Sequence, residues 1–394
     1  MGKKRQLVIV GCSVVETNGS KYYARSQIIE YLYGLREYYD HVTWMVPLAK
    51  SRYYSKEIDS SIINLNIRNP KHYSIYSPKG ILEAIWHWWF FSNSINRNTD
   101  VLVFGISSFS LGYVLMVKFL GKNVFCYIGS DPTLSRRLRY NSLKGIIGTI
   151  GNMITFPICM LLADGIVARG RSIYAQCRKW NKNTHITKPI ISYKHLKKVF
   201  LQKYSLKKEN IVKFLYVGKL TQNKGVHILL DSFANITNNN LPKNTDTRLI
   251  YVGSGSLEHS LKNKIKLYNL ESKVEFLGFI DEPEKLIEVY YHCDALVVPS
   301  IYTEGFPRTI DEAFACGLPV ICSRIGGMKT DLNNNEVLFV KPGNKYSLSM
   351  AMKKLVEDYD MRQTMRNISR NRANVFLKAT AAQQHCELMR SYII

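Results

Sequence analysis

Acidic side chains are in short supply. The 394 residues hold 30 Asp and Glu against 54 Lys and Arg, a formal net charge of +24. This imbalance excludes an acidic solvating chain and implies an anionic partner: nucleic acid, an anionic membrane surface or a phosphorylated substrate. A proteome-wide bias toward lysine and asparagine is the plainer account of the same charge. Cysteine pairs are missing too. The eight cysteines, at 12, 126, 159, 177, 293, 316, 322 and 386, never form C-x-x-C, so no zinc spacing exists and buried free thiols in a reducing compartment are expected. MGKKRQLVIVG has no apolar core beyond a five-residue strand, and a secretory leader is not expected. Gln6 stands where a myristoylation signal needs Ser or Thr. No unbroken apolar run reaches the ~18 residues that suggest a membrane span, and G-x-G-x-x-G is lacking, which removes the dinucleotide fingerprint. Apolar content is ordinary, and the length suffices for two cores.

What is present is an alternation of elements. LVIVG (7–11), a polar loop, a helical pattern through Tyr23, Ile28, Ile29, Leu32 and Leu35, and then HVTWMVP make a βαβ opening. Such an opening predicts a parallel sheet. Further strands are expected over 100–104, 123–128 and 165–169, with a helix over 111–120. Residues 51–80 are polar, tyrosine-rich and weakly periodic, and no element is assigned to them. ILEAIWHWWFF (81–91) reads as an aromatic-rich helix, either packed in a core or lodged at a membrane interface. Arg136, Arg137, Arg139 and Lys144 precede a largely apolar stretch, 146–163, which glycines, Asn152 and Pro157 interrupt. A buried helix is the first expectation there; a basic and apolar face resting on anionic lipid is the second. Residues 182–208, rich in Lys and Tyr, read as the connection between domains, with their basic side chains solvated.

From residue 214 the pattern sharpens. FLYVGKLTQNKGVHILLDSFANI is strand, glycine, polar loop and amphipathic helix, the loop form that offers backbone N–H groups and cations to phosphate. RLIYVGSGSLEHS repeats strand, Gly253-x-Gly255 and helix. Between Ala295 and Gly327 comes ALVVPSIYTEGFPRTIDEAFACGLPVICSRIGG. It reads as strand, polar loop, short helix over 308–316 stopped by Gly317, strand and glycine loop. Such a unit sets helix N–H groups at the carboxyl end of a parallel sheet, where anions and nucleotides bind. Glu304 and Glu312 frame that point. Taken alone, the two carboxylates are as readily a surface charge and an N-cap as a pair of ligand groups.

Glu304-Gly-Phe-Pro-Arg-Thr-Ile-Asp-Glu312, in its frame from AFACGLPVI to Gly326-Gly327, resembles the E-x7-E signature of retaining glycosyltransferases of the two-domain GT-B type, family 4. Gly218-Lys219-Leu220-x3-Lys224-Gly225 resembles that family's G-R-L-x3-K-G, with Lys219 in the arginine's place. The likeness is close from 214 to about 376. In the first half it rests on element order and on YIGSDPT, which is similar to the family's His-Gly-x-Asp with Ile128 in the histidine's place. The resemblance implies an α/β fold of GT-B architecture, two Rossmann-like domains with parallel sheets facing across a cleft. Residues 1–195 would bind the acceptor and 196–376 the nucleotide sugar, while 377–394 would form a helix crossing back.

The same resemblance implies a nucleotide diphosphate sugar as donor. Gly218, Lys219, Lys224, Gly253, Gly305, Phe306, Pro307, Arg308 and Thr309 would hold it, with Phe279 or its backbone near the base. Glu312 would take the ribose hydroxyls and Glu304 the sugar ring. Gly19, Gly129 and Asp131 would form the acceptor side, Asp131 orienting the acceptor or receiving its proton; an aspartate before proline is equally a turn former. Asn18 departs from the first glycine of the family's pair, and Lys219 lacks arginine's bidentate fork. No metal and no cofactor beyond the donor is implied. The expected reaction is sugar transfer with retention to a saccharide, lipid-linked or lipid-anchored, in polysaccharide or lipopolysaccharide assembly. The expected place is the cytosol, touching the inner face of a membrane. A basic nucleic-acid binder and a catalytically silent membrane adaptor are the competing classes. The first is disfavoured because no nucleic-acid motif is seen and the cations follow βα loops.

Overall fold

Short apolar runs such as Leu7–Val10 become strands buried on both faces, the pattern of parallel sheets covered by helices. The computed structural model describes residues 5–11, 15–18, 20–46, 54, 56–67, 85–86, 88–96, 98–105, 108–129, 143–187, 189–191, 193–201, 211–238, 245–302 and 305–391. They fall into two units, Met1–Ile191 with Ala379–Ile394, and Ser192–Lys378.

In the first unit β1 (Gln6–Val10) is followed by the short β2 (Glu16–Thr17) and β3 (Tyr22–Ala24), then β4 (His41–Val46), β5 (Lys56–Glu57) and β6 (Asn64–Ile67). Next come β7 (Thr99–Phe104), β8 (Val124–Ile128), β9 (Gly165–Arg169) and β10 (Thr184–Thr187). Seven of them form one parallel sheet in the order β10-β9-β8-β7-β1-β4-β6, and β2, β3 and β5 make a small antiparallel ribbon. The order reverses between β1 and β7. Leu7 and Ile9 face a core shared with the helices Ser26–Leu35 and Ala381–Ser391, while Val8 and Val10 face the helices Ser108–Phe119 and Leu143–Leu162. This is the two-residue alternation of a strand turned into two layers.

The C-terminal helix is fixed by a buried histidine. His385 hydrogen-bonds the Tyr31 hydroxyl at 2.7 Å through Nδ1 and the Thr187 hydroxyl at 2.6 Å through Nε2. Complete burial lowers its pKa to about 3, so the ring stays neutral.

The second unit repeats the plan with β11 (Ile211–Val217), β12 (Asp246–Val252), β13 (Val274–Gly278), β14 (Ala295–Val298), β15 (Val320–Ser323) and β16 (Leu338–Val340). All six run parallel in the order β13-β12-β11-β14-β15-β16, which reverses between β11 and β14. Val226–Asn238 and Lys345–Glu357 pack in one core, and Arg308–Ala315 packs against Tyr359–Phe376. The last two long helices start cleanly. The Asn344 side chain accepts from the Ser347 N–H at 2.8 Å and the Asp358 side chain from the Met361 N–H at 2.7 Å.

Three expectations change. Tyr23 lies in β3, and the helix begins only at Ser26. Residues 182–208 are not simply a connection: Thr184–Thr187 is the edge strand of the first sheet, and Tyr193–Leu201 is a helix of the second unit. Leu143–Leu162 is a helix as expected, but only one side of it is buried, because a helix lying on a sheet keeps an outer face. The seven described cysteines are buried and free. Among the described residues, no helix is long and apolar enough to cross a membrane.

Candidate active site

A reversal in strand order leaves two adjacent loops diverging at the carboxyl end of an open sheet, the place where α/β proteins bind ligands. In the second unit these are the loops after β11 and β14, and glycines bring the surrounding backbone into contact. Gly253 sits at φ +128°, and a Cβ there would collide with the Gly218 carbonyl oxygen. Gly225 sits at φ +70°, and a Cβ there would collide with the Pro299 carbonyl oxygen. Only glycine combines such φ values with so close an approach. Backbone hydrogen bonds complete the seam. Gly218 N–H donates to Val252 O at 2.9 Å, Leu220 N–H to Ser254 O at 2.9 Å, and Ile301 N–H to Asn223 O at 2.9 Å. The Lys219–Lys224 loop is thus tied on one side to the turn after β12 and on the other to the loop that leads toward Glu304. The Lys219 side chain is exposed and that of Lys224 half-buried in the 3-10 turn Gln222–Lys224.

The helix Arg308–Ala315 starts after Pro307, whose φ of −65° suits a helix start and whose side chain offers no cap. The first-turn N–H groups, those of Arg308 and Thr309, therefore keep the positive end of the helix dipole at this edge. Gly327 lies so close that a Cβ on it would stand 2.8 Å from Gly305 C and from Phe306 N. Glu312, one turn into the helix, is buried, and its Oε2 accepts a 2.9 Å hydrogen bond from the Tyr290 hydroxyl. Burial first, and the Glu312 charge second, hold the Tyr290 phenol well above its ordinary pKa. Tyr290 is therefore a permanent donor that fixes the carboxylate's rotation. At the next turn, Gly253 N–H donates to Gly278 O at 2.7 Å, and the following Phe279 is partly exposed.

The structure thus gathers Gly218, Lys219, Lys224, Gly253, Gly305, Phe306, Pro307, Arg308, Thr309 and Glu312 along one edge of the second sheet, with Phe279 beyond β12. Glu304, Gly19 and Asp131 lie outside the described residues. Gly129 follows β8, where an added Cβ would stand 3.2 Å from the Tyr127 ring. Ile128, in the place where a histidine was looked for, is buried in an apolar cluster of the first unit. Tyr290 was missed from the sequence, since with Leu286 and Ile287 it reads as any buried stripe of a helix. A separate cavity of about 980 Å³, lined by Lys213, Arg248, Lys273 and His292 among others, contains none of the candidate residues. Among the described residues, no group of three or more His, Cys, Asp or Glu is placed to hold a metal.

Residues 198–372 match the family model described as glycosyl transferases group 1. The N-acetylgalactosamine-N,N'-diacetylbacillosaminyl-diphospho-undecaprenol 4-alpha-N-acetylgalactosaminyltransferase of Campylobacter jejuni subsp. jejuni serotype O:2 is 25% identical over 271 residues, 68% of this chain and 70% of its own. The capsular polysaccharide biosynthesis glycosyltransferase CapM of Staphylococcus aureus is 28% identical over 159 residues, 40% of each chain. The crystal structure of Anabaena Alr3699/HepE in complex with UDP superposes with a TM-score of 0.63 at 15% identity, covering 98% of this chain and 100% of that one. These matches support a glycosyltransferase with relatives in polysaccharide assembly. The chain has the GT-B fold of two Rossmann-like halves, and its residues 198–372 are similar to the glycosyl transferases group 1 family.

Proposed function

We propose that the protein is a retaining, metal-independent glycosyltransferase of family 4 that moves a sugar from a nucleoside diphosphate to a hydroxyl of a saccharide, lipid-linked, in surface polysaccharide or lipopolysaccharide assembly. The observation that carries this reading is the glycine-sealed edge where the Lys219–Lys224 loop, the start of Arg308–Ala315 and the buried Glu312 converge. Breaking the bond between the sugar's anomeric carbon and the phosphate oxygen leaves a nucleoside diphosphate with growing negative charge. Lys219, Lys224 and the N–H groups of Arg308 and Thr309 stabilise that charge without reorganising. Glu312, held by Tyr290, binds the ribose hydroxyls. Glu304 contacts the sugar ring and stabilises its oxocarbenium-like transition state. A bond forms on the same face between the anomeric carbon and the acceptor oxygen, whose proton passes to the departing phosphate; Asp131 orients the acceptor. No protein nucleophile is needed.

On this reading Ser192–Lys378 takes the donor, and Met1–Ile191 with Ala379–Ile394 takes the acceptor. The Anabaena neighbour was solved with UDP, and the Campylobacter relative's name includes diphospho-undecaprenol. The first supports a nucleotide-sugar donor and the second a lipid-linked acceptor; the proposal further sets the reaction at the cytoplasmic face of a membrane and takes nucleic acid not to be a partner. Thermal unfolding with UDP, GDP and ADP tests the donor site. At one hundred times its Kd the right nucleotide adds about 2.7 kcal/mol of stability, and a melting temperature indifferent to all three defeats the reading. Screening nucleotide sugars for protein-dependent release of nucleoside diphosphate then identifies the donor. Tight, salt-sensitive DNA binding without such release would favour the nucleic-acid alternative.

A further inference from the structure

Parallel strands covered on both faces normally meet their helices through aliphatic side chains. In the second sheet three neighbouring strands depart from this at one level. Tyr216 of β11 stands opposite Tyr251 of β12, and Tyr251 opposite Phe276 of β13, all on the face that packs against Val226–Asn238. The rings make a row. Tyr251 stacks on Phe276 with 5.1 Å between centroids and 14° between planes, and Tyr216 follows at 5.7 Å. Lys262 Nζ closes the outer end, 5.4 Å from the Phe276 centroid, and donates to Glu258 Oε1 at 2.8 Å.

Both tyrosines are buried, and a buried phenol needs an acceptor. The Tyr216 hydroxyl donates to Lys219 O at 2.8 Å, and the Tyr251 hydroxyl donates to Val226 O at 2.9 Å. Those two carbonyls bracket the segment that runs from Lys219 through Lys224 to Gly225. Within it Thr221 N–H donates to Lys219 O at 3.0 Å, Lys224 N–H to Thr221 O at 3.1 Å and Gly225 N–H to Gln222 O at 3.0 Å. The loop is therefore a small closed unit, and its position depends on what holds its two ends. At the first end the chain passes directly over the ring: a Cβ on Gly218 would stand 2.9 Å from the Tyr216 hydroxyl oxygen. Burial pushes the Tyr251 phenol well above its ordinary pKa, so it stays a donor. Phenylalanine would fill the same space with no hydroxyl to satisfy. What the hydroxyls add is the attachment of the loop, from two rings that the stack keeps from turning.

We infer that Tyr216 and Tyr251 are positioning residues for the donor's diphosphate, a clamp that sets where Lys219 and Lys224 stand before the ligand arrives. The clamp rests on the proposed donor site and adds to it the part that fixes its cations in advance. Tyr251, wholly buried, acts through the loop alone.

Tyr216→Phe and Tyr251→Phe keep the rings and remove the anchors. The Kd of whichever of UDP, GDP and ADP protects the wild type, measured well below the melting temperature, should rise about fivefold in each variant, the worth of one neutral hydrogen bond. The donor KM should rise with it while kcat barely changes. Tyr268→Phe loses a hydroxyl bond to Asp231 in the same unit and should leave the Kd unchanged. Hydrogen exchange without nucleotide should quicken at residues 220–226 in the two clamp variants and not in Tyr268→Phe. Each clamp tyrosine holds its own end, so either variant carries the test if the other folds poorly. Clamp variants that bind the nucleotide as tightly as wild type, or a Tyr268→Phe that weakens it equally, would overturn the inference. The two readings fail separately. A wild type that no nucleotide protects removes the donor site even where exchange shows the loop anchored, and a protected wild type with unaffected variants removes the clamp alone.

Discussion

Both sheets of this protein reverse strand order beside their first strand, yet the two reversal points are finished differently. At the second, Gly225 and Gly253 lie so close to neighbouring carbonyl oxygens that no side chain fits. At the first, Gly11 and Gly105 also have positive φ, +83° and +73°, but the approach is looser: a Cβ on Gly11 would stand 3.1 Å from the Phe104 carbonyl oxygen, and one on Gly105 would meet nothing within 4 Å among the described residues. The outer surfaces differ as well. In the first unit Leu143–Leu162 alone exposes Ile150, Met153, Ile154 and Leu161, whereas the exposed apolar groups of the second unit are spread more thinly, as with Leu267, Val375 and the pair Tyr346 and Met350. On the proposed reading the second point holds a constant group, the nucleoside diphosphate, and such a site benefits from backbone fixed in advance. On the same reading the first unit meets a varying acceptor, which does not need that rigidity.

The largest effect should come from the charge at the fixed edge. Lys224→Ala should lower kcat/KM for the donor about 10²- to 10³-fold, while the melting temperature without nucleotide barely moves; steady-state kinetics beside thermal unfolding would check both. Next is the seam itself. Gly253→Ala should destabilise by about 3 kcal/mol, since it adds a collision to a disfavoured φ, whereas Gly105→Ala should cost only about 1 kcal/mol. Equal losses in denaturant titrations would erase the contrast between the two reversal points.

Acid should then separate the units. The His385 pKa is depressed to about 3 in the folded state, against ~6.5 unfolded. Its contribution is complete above pH ~6.5 and declines as pH falls toward 3, because the unfolded chain takes up the proton first. By pH 5 the loss should be about 2 kcal/mol, confined to the first unit. Hydrogen exchange across that range should show the C-terminal helix loosening before β11–β16, and uniform loosening would contradict it. Smallest is Tyr290→Phe, which keeps the ring but removes the hydroxyl that donates to Glu312 Oε2. The nucleotide Kd should rise about tenfold, the worth of one hydrogen bond to a charged group, with little change in kcat.

Much of the second unit was legible because its determinants are local. Gly225 and Gly253 are turn glycines within a few residues of the strands they follow, and the loop cations Lys219 and Lys224 sit between Gly218 and Gly225. Tyr290 was not legible: it meets Glu312 from another helix, 22 residues away in sequence. The edge strand Thr184–Thr187 was passed over because it is short, polar and exposed at two of its four positions, which removes the apolar pattern that marks interior strands. Tyr23 fits a helical period by coincidence, and pairing with Glu16 and Glu57 settled it as strand.

By itself the sequence determined the alternation of strands and helices, the glycine turns at the carboxyl edge of the second sheet and the excess of positive charge, since each follows from composition or from neighbours a few residues apart. Only the tertiary structure decided which side of Leu143–Leu162 meets protein. A segment apolar all round carries no directional signal, and the sheet beneath it chose to bury Asn152 and Thr155 while leaving Ile150, Met153, Ile154 and Leu161 outside. The clasp of Tyr290 on Glu312 and of Tyr31 and Thr187 on His385 was decided in the same way, because each joins residues that only the folded sheets bring within hydrogen-bonding distance.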